Sequence, residues 1–590
     1  MRQALRTAKT STASIPAPVG GLNAVDALAD MPATDAVIMD NWVPGVSSCS
    51  IRPGYQSIKT GFAAAVESLM PYNSNTTSKL FAASGTAFYD ASTPGAVGAA
   101  VVSGLSNARW QHINFGTIGG QFLLCANGTD AMRIYDGAKW MTVTNGTGLT
   151  IASITRVTTT ATLTTTAPHG LVTGQLVTVA GATPAAYNVT SVAITVTSTT
   201  AFTYTMASDP GASASPVGTL TIAYPVITGV NTALIKDLQV YANRVWLIEK
   251  DSFRVWYLPL NSIAGAATSI DLSSLYILGG NLTGMVTWQY ASSNNVNTYV
   301  GFVSSQGEVL LYQGTDPASA ANWGKVGQFR IGRPIGQKFY ERAGNDTLLV
   351  TTDGIMPMSR AAITDRQSQS SAVSYKIIQR IRDDQALYSA NYGWQAILFP
   401  AGNRLIVNVP KSSSTDNVQY VMNTITNMWC RYTGVAARCW ALYNDNIYFG
   451  GTTAVYQGEY GNSDDGAGIS ASVSPAYNYF GTPGTNKMFT AVRPIITANG
   501  TFTPSIGLVF DFQGGTPSSA PQLSTATSNA AWNTSPWNTT PWGSAYVTSR
   551  DWQWVGGVGF AGAMVMKSST KNMSVTWAST DWLLERGGVF

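Results

Sequence analysis

Charge is the scarcest commodity in this 590-residue chain. Asp, Glu, Lys and Arg make up 11% of it, against a usual share of about 25%. The formal net charge is +4, too small and too dispersed for the Lys/Arg-clustered face that holds nucleic acid tightly. Histidine is rarer still, with His112 and His169 the only two. A lone histidine in a His-Gly turn reads as a loop residue, and no Ser-His-Asp or Cys-His arrangement emerges. Four cysteines, Cys49, Cys125, Cys430 and Cys439, are too few and scattered for a disulfide framework or zinc site, and read as small buried thiols. No run approaches the roughly 20 apolar residues that span a bilayer, so no stable membrane insertion is expected. Arg2, Arg6 and Lys9 precede no apolar stretch, which argues against a secretory leader and for synthesis in a cytoplasm.

What replaces charge is Thr, Ser, Asn, Gln and Gly, carried on short β-prone runs. Cys439 to Tyr460 is the clearest: an apolar run, Asn444-Asp445-Asn446 for a left-handed turn, Ile447 to Phe449, Gly450-Gly451, then Ala454 to Gln457. One meander cannot bury its own apolar face. Phrases of the same form recur at 80–90, 122–137, 238–257, 299–314, 347–360 and 405–432. Their spacing, on the order of 50 residues apart from one large gap, is that of a propeller blade and not of a helical solenoid. The expected fold is all-β, a β-propeller, with stacked β-sandwiches as the alternative.

Other segments break the pattern. Residues 1–15 read as a polar arm. Asp26, Asp30, Asp35 and Asp40 lack the spacing of a calcium loop; Asp35 is expected to cap a short turn or helix carrying Ala36 to Met39. From Ile363 to Asp384 the period turns helical, with Val373, Ile377 and Ile381 on one face and Lys376, Arg380, Arg382 and Asp383 largely off it; its basic side reads as a solvated face, with passing DNA the alternative. Thr147 to Tyr224 carries only Arg156 and Asp209 as charges amid alternating Thr. Trp532, Trp537 and Trp542 repeat a five-residue unit, suited to subunit packing or to stacking on sugars.

Several phrases carry a resemblance. Pro-Ala-Pro-Val-Gly-Gly-Leu-Asn at 16–23, Met-Pro-Ala-Thr-Asp-Ala at 31–36, Asp-Asn-Trp-Val-Pro at 40–44 and Ile-Arg-Pro-Gly-Tyr at 51–55 resemble the start of tail nozzle, or tail tubular, proteins of short-tailed bacteriophages. Tyr420 to Trp429 and Trp577 to Trp582 are similar to later landmarks of that family. The phrase from Ala167 to Gly174, with Val177 to Gly181, Tyr187-Asn188 and Phe202 to Tyr204, resembles a small β-sandwich inserted in phage tail proteins.

The resemblance implies a structural virion protein with no catalytic, cofactor-binding or metal residues and no cofactor. It implies a ring of copies, a hexamer, at the end of a short tail, attached to a head-to-tail adaptor near fibres or a needle, with genomic DNA passing through. The repeats and the change of texture divide the chain into 76–146 (first blades), 147–224 (inserted sandwich) and 225–462 (remaining blades), and the resemblance implies that 1–75 (arm and part of a platform) and 463–590 (C-terminal part of the platform) come together. Two other readings compete. A propeller glycosidase needs paired carboxylates, and Ser305-Gln306-Gly307 and Thr352-Asp353-Gly354 only faintly resemble the Asp-containing turn of sialidase-like propellers. A lectin-like receptor protein would use the tryptophan repeat or the Thr-rich insertion.

Overall fold

The computed structural model describes residues 10–143, 149–166, 169, 171, 173–198, 200–222, 225–292, 295–364, 369–411, 417–514, 546–549 and 551–587. Seven antiparallel meanders follow one another, with first strands Val66–Asn73, Gln111–Thr117, Ile235–Tyr241, Leu282–Ser292, Tyr340–Ala343, Gln395–Phe399 and Cys439–Tyr443; each packs beside that of its neighbours, except that Leu282–Ser292 meets the fifth meander through Asp346–Thr351. The last of the seven returns to pack on the first, so the chain closes a seven-bladed β-propeller. Each of the seven sequence phrases falls in a different blade. In the seventh, Asn444 and Asp445 both take positive φ, 48° and 57°, as the turn reading requires.

Closure is made by a strand from far upstream. The outer position of blade 7 is filled by Tyr55–Thr60, antiparallel to Ala454–Gly458. The propeller therefore takes in residues that a division at 75/76 leaves outside it, including blade 1's innermost strand. Tying the ends of the ring together covers the apolar blade faces that a linear array would leave open.

The cores lie between blades. Phe81, Phe88, Trp110 and Trp140 fill the seam of blades 1 and 2; Leu124, Leu238 and Leu247 that of 2 and 3; Trp246, Met285 and Phe302 that of 3 and 4; Leu69, Leu80 and Tyr443 that of 7 and 1. The helix Met358–Thr364 packs against blades 4 and 5.

Blade 6 does not end at its fourth strand. Its sheet runs on through Met428–Tyr432 into Asp35–Asp40, Ile469–Pro475, Gly562–Thr570 and Ser505–Phe510. A second, seven-stranded sheet, with Lys487–Ala498 and Val575–Arg586 at its centre, faces it. The N- and C-terminal segments thus build the β-rich platform together.

Three local expectations are corrected. Residues 35–40 form a strand, because Ala36 and Met39 are drawn into the platform core with the β-branched Val37 and Ile38 between them. The described part of the polar arm is a strand from Thr10 to Pro16, paired with Val575–Arg586; only Ala13 and Ile15 of its Thr/Ser run are apolar, too short an alternation to reveal that. The helical segment is broken as well: a 3-10 turn at Tyr375–Ile377 leads into the helix Ile378–Tyr388, which buries Ile378 and Ile381 and continues past Asp384.

Between blades 2 and 3, the described residues of 151–222 form a β-sandwich. One sheet is Ile151–Val157, Thr160–Thr165, Ala201–Thr205 and Thr195–Val196, the other Val189–Ala193, Leu176–Ala182 and Val217–Ile222. Its core, with Leu163, Val177, Tyr187 and Phe202, is its own.

Candidate functional site

Two places gather the polar side chains of this charge-poor chain. The first is the joint between platform and propeller. At Asn41 the chain leaves one platform sheet for the other, with φ of 60°, a left-handed conformation that asparagine tolerates better than most residues. Its side-chain amide donates to the Ser470 carbonyl at 2.6 Å and the Thr433 carbonyl at 3.1 Å, while its oxygen accepts from Arg52 Nε at 2.8 Å. Arg52, 1% exposed, forks onto Asp464 at 2.8 and 2.6 Å, the bidentate geometry that makes such pairs strong. Beside it Arg431 of blade 6 grips Asp40 through two bonds of 2.7 Å. Lys376, just before the helix, reaches Asp35 at 3.0 Å. Two of the four N-terminal aspartates are therefore halves of ion pairs; among the described residues no group of three His, Cys, Asp or Glu is placed to hold a metal ion. Trp42 meets Trp577 edge-on at 5.9 Å in the core beneath.

The second place is the propeller's central channel. The innermost strands and the segments entering them line two adjoining cavities that share Gln111, Lys338 and Gln395. One, of about 270 Å³, is bordered by His112, Tyr340, Glu341, Gln395 and Trp440. Glu341 is the only carboxylate among the residues lining either cavity. Its carboxylate accepts from the Leu398 amide at 3.1 Å, and burial pushes its pKa up to about 7 against that bond and the Lys338 charge. Asp237, on the innermost strand of blade 3, is 4% exposed and accepts from the Tyr340 hydroxyl at 3.2 Å. Burial raises it too, to about 7. Burial lowers Lys338, while Cys439, Glu341 and Asp237 pull it back, and drives His112 down to about 3, neutral at ordinary pH.

The other cavity, of about 200 Å³, has no carboxylate in its wall. Arg109, Lys338 and Arg438 line it with Gln337, Asn391 and Tyr392. Gly336, at φ of 75°, lets the chain pass where a Cβ would lie 2.7 Å from Trp394 Cβ.

The remaining sequence candidates fall elsewhere. His169 accepts from the Leu171 amide at Nδ1, 3.0 Å, and donates from Nε2 to the Ser198 carbonyl, 3.1 Å, which fixes a loop of the sandwich. The four cysteines are free and buried; burial pushes the Cys439 thiol up to about 12. Asp353 is buried in a hairpin turn of blade 5. Arg380 is exposed and Lys376 is committed to Asp35, so the helix's basic residues do not form one free face. Arg2, Arg6, Lys9 and the repeat Trp532, Trp537 and Trp542 lie outside the described residues, as do Ala167, Pro168, Gly170 and Val172. Among the described residues no helix is long and apolar enough to cross a membrane.

Sequence reading passed over Asp237, Lys338, Glu341 and Arg438. For Asp237 and Glu341 the available signal was a charge within a β-run, beside Leu238 and after Phe339-Tyr340.

No family model matches this chain, and no curated protein matches it. Among solved structures, it resembles YCF48 bound to D1 peptide at 8% identity, covering 70% of this chain and 98% of that one with a TM-score of 0.24. BBS1N in complex with ARL6DN shares 12% identity over 50% of this chain and 76% of that one, with a TM-score of 0.22. The fold rests on strand order and ring closure, not on these likenesses.

Proposed function

We propose that this chain is a structural virion protein: the subunit of a ring-shaped nozzle at the end of a short phage tail, attached to a head-to-tail adaptor and serving as a conduit for genome ejection. One observation carries the reading. The phrases that resemble nozzle proteins are spread from Pro16 to Trp582, yet Ala17, Leu22, Ala36, Trp42, Ile51, Tyr420, Trp429, Trp577 and Trp582 all lie in a single hydrophobic core. A likeness made of unrelated fragments has no reason to converge on one joint.

The physical character of the molecule supports a mechanical part. Ion pairs and a continuous sheet lock platform to propeller, so the subunit transmits force as one body. The sparse charge suits surfaces covered by sister copies, and a conduit gains nothing from phosphate contacts that slow transit. Met488, Trp554, Val558 and Phe560, 52%, 74%, 59% and 42% exposed, leave apolar surface at an edge of the platform's second sheet, where Met488 lies opposite Val558. The test is native mass spectrometry with negative-stain imaging of the full chain. A closed ring with a central hole is expected; a stable monomer across micromolar concentrations overturns the proposal.

A further inference from the structure

We propose that the carboxylate-free mouth of each propeller's own channel is a binding site for a small oxyanion, phosphate or a phosphoryl group, a property separate from any ring of subunits. Three cations converge on this cavity. Arg109 is held at the rim by Glu67 at 3.3 Å and lies 4.6 Å over the Tyr392 ring, so its charge is largely spoken for. Lys338 and Arg438 are different: among the described residues neither has a carboxylate within ion-pair distance, and Arg438 Nε is buried with no hydrogen-bond partner. An anion in this cavity meets the charges of Lys338 and Arg438 that no carboxylate compensates, and the planar guanidinium suits phosphate oxygens.

The surroundings agree in sign and size. Glu341 and Asp237 are on the Tyr340 side of Lys338, and Glu67 sits at the rim on Arg109; none of the three lines this mouth. The helix Ile378–Tyr388 ends here, and its negative end opposes an anion, but the Tyr388 carbonyl is already taken by Trp394 Nε1 at 2.8 Å and the Asn391 amide at 3.0 Å. About 200 Å³ admits a tetrahedral oxyanion with a few waters and excludes a polymer segment.

The experiment is thermal unfolding and calorimetric titration of the full chain with inorganic phosphate, at constant ionic strength against chloride. Wild type should show saturable stabilisation by phosphate and none by chloride. Arg438→Gln should weaken phosphate binding at least tenfold, whereas Arg254→Gln, at an exposed position on the strand Arg254–Tyr257 of blade 3, should not change it. Equal responses of wild type and Arg438→Gln, or equal stabilisation by chloride, overturn the site. If Arg438→Gln fails to fold, Lys338→Met takes its place, and a crystal of wild type soaked in sulfate must show density between Arg438 and Lys338; its absence is equally fatal. A 5′-phosphorylated dinucleotide binding tenfold tighter than the free ion identifies the anion as a nucleic-acid end, and equal or weaker binding identifies the free ion.

Discussion

The inserted sandwich and the blades are both small antiparallel sheets, yet they solve the problem of burial in opposite ways. The sandwich folds one sheet over another and keeps its core to itself. Its first and last strands, Ile151–Val157 and Val217–Ile222, pack against each other, so it enters and leaves the propeller at one place. It rests on blade 2 through hydrogen bonds such as Lys139 Nζ to the Gly174 carbonyl, 3.0 Å, and Gln175 Nε2 to the Thr142 carbonyl, 3.3 Å. A blade has no such autonomy, since each of its faces is completed by a neighbour. The lesson is that sheet size does not define a domain; ownership of the core does.

That contrast can be broken hardest at the joint. Arg52→Ala strands Asp464 in the interior and removes a partner of Asn41, so a loss of about 5 kcal/mol, the upper end for a broken buried pair, is expected in denaturant unfolding of propeller and platform together. If only the platform loosens, the two are less unified than the continuous sheet implies. Next comes Trp110→Ala in the seam of blades 1 and 2, where Trp110 is fully buried and meets Phe88 at 4.9 Å. It should cost about 4 kcal/mol and lower the whole propeller transition, leaving that of the sandwich in place.

The channel provides a milder test. Asp237 has its pKa raised by burial to about 7 from an ordinary 3.8, so the folded state holds a proton that the unfolded chain has lost between those values. Stability from this group is greatest at low pH and falls as pH rises through about 7. Asp237→Asn should therefore stabilise more at pH 8 than at pH 5, by on the order of 2–3 kcal/mol, read as the difference in unfolding midpoints. An equal effect at both pH values means Asp237 does not titrate there. The smallest effect belongs to the sandwich. Replacing 149–222 by a short Gly/Ser linker should move the propeller transition by less than about 1 kcal/mol and remove one separate calorimetric transition; collapse of the propeller would show that the insertion braces blades 2 and 3.

Much of this architecture is legible without coordinates. Each recurring phrase marks the middle of one blade, because those strands are buried on both faces and flanked by Gly, Asn or Asp turns that local backbone chemistry demands. The innermost strands are less legible: Gln111 to Thr117 and Tyr340 to Ala343 mix polar and apolar residues, since one side of them lines a channel. Thr10–Pro16 and Tyr55–Thr60 are nearly silent, as their partners are hundreds of residues away and pairing there uses backbone groups that any sequence carries. Lys338 and Arg438 look unremarkable among other scattered charges until the ring brings them to one cavity.

By itself, then, the order of residues determined the β class, the blade-like repeat, the foreign texture of the insertion and the scarcity of charge, all consequences of short-range periodicity and composition. Only the tertiary structure decided that seven sheets close with a strand from the N-terminal region, that the two ends of the chain share one platform with blade 6, and that three cations meet at a channel mouth. These depend on pairings across the length of the chain, whose free energy comes from burying surfaces that no local window contains.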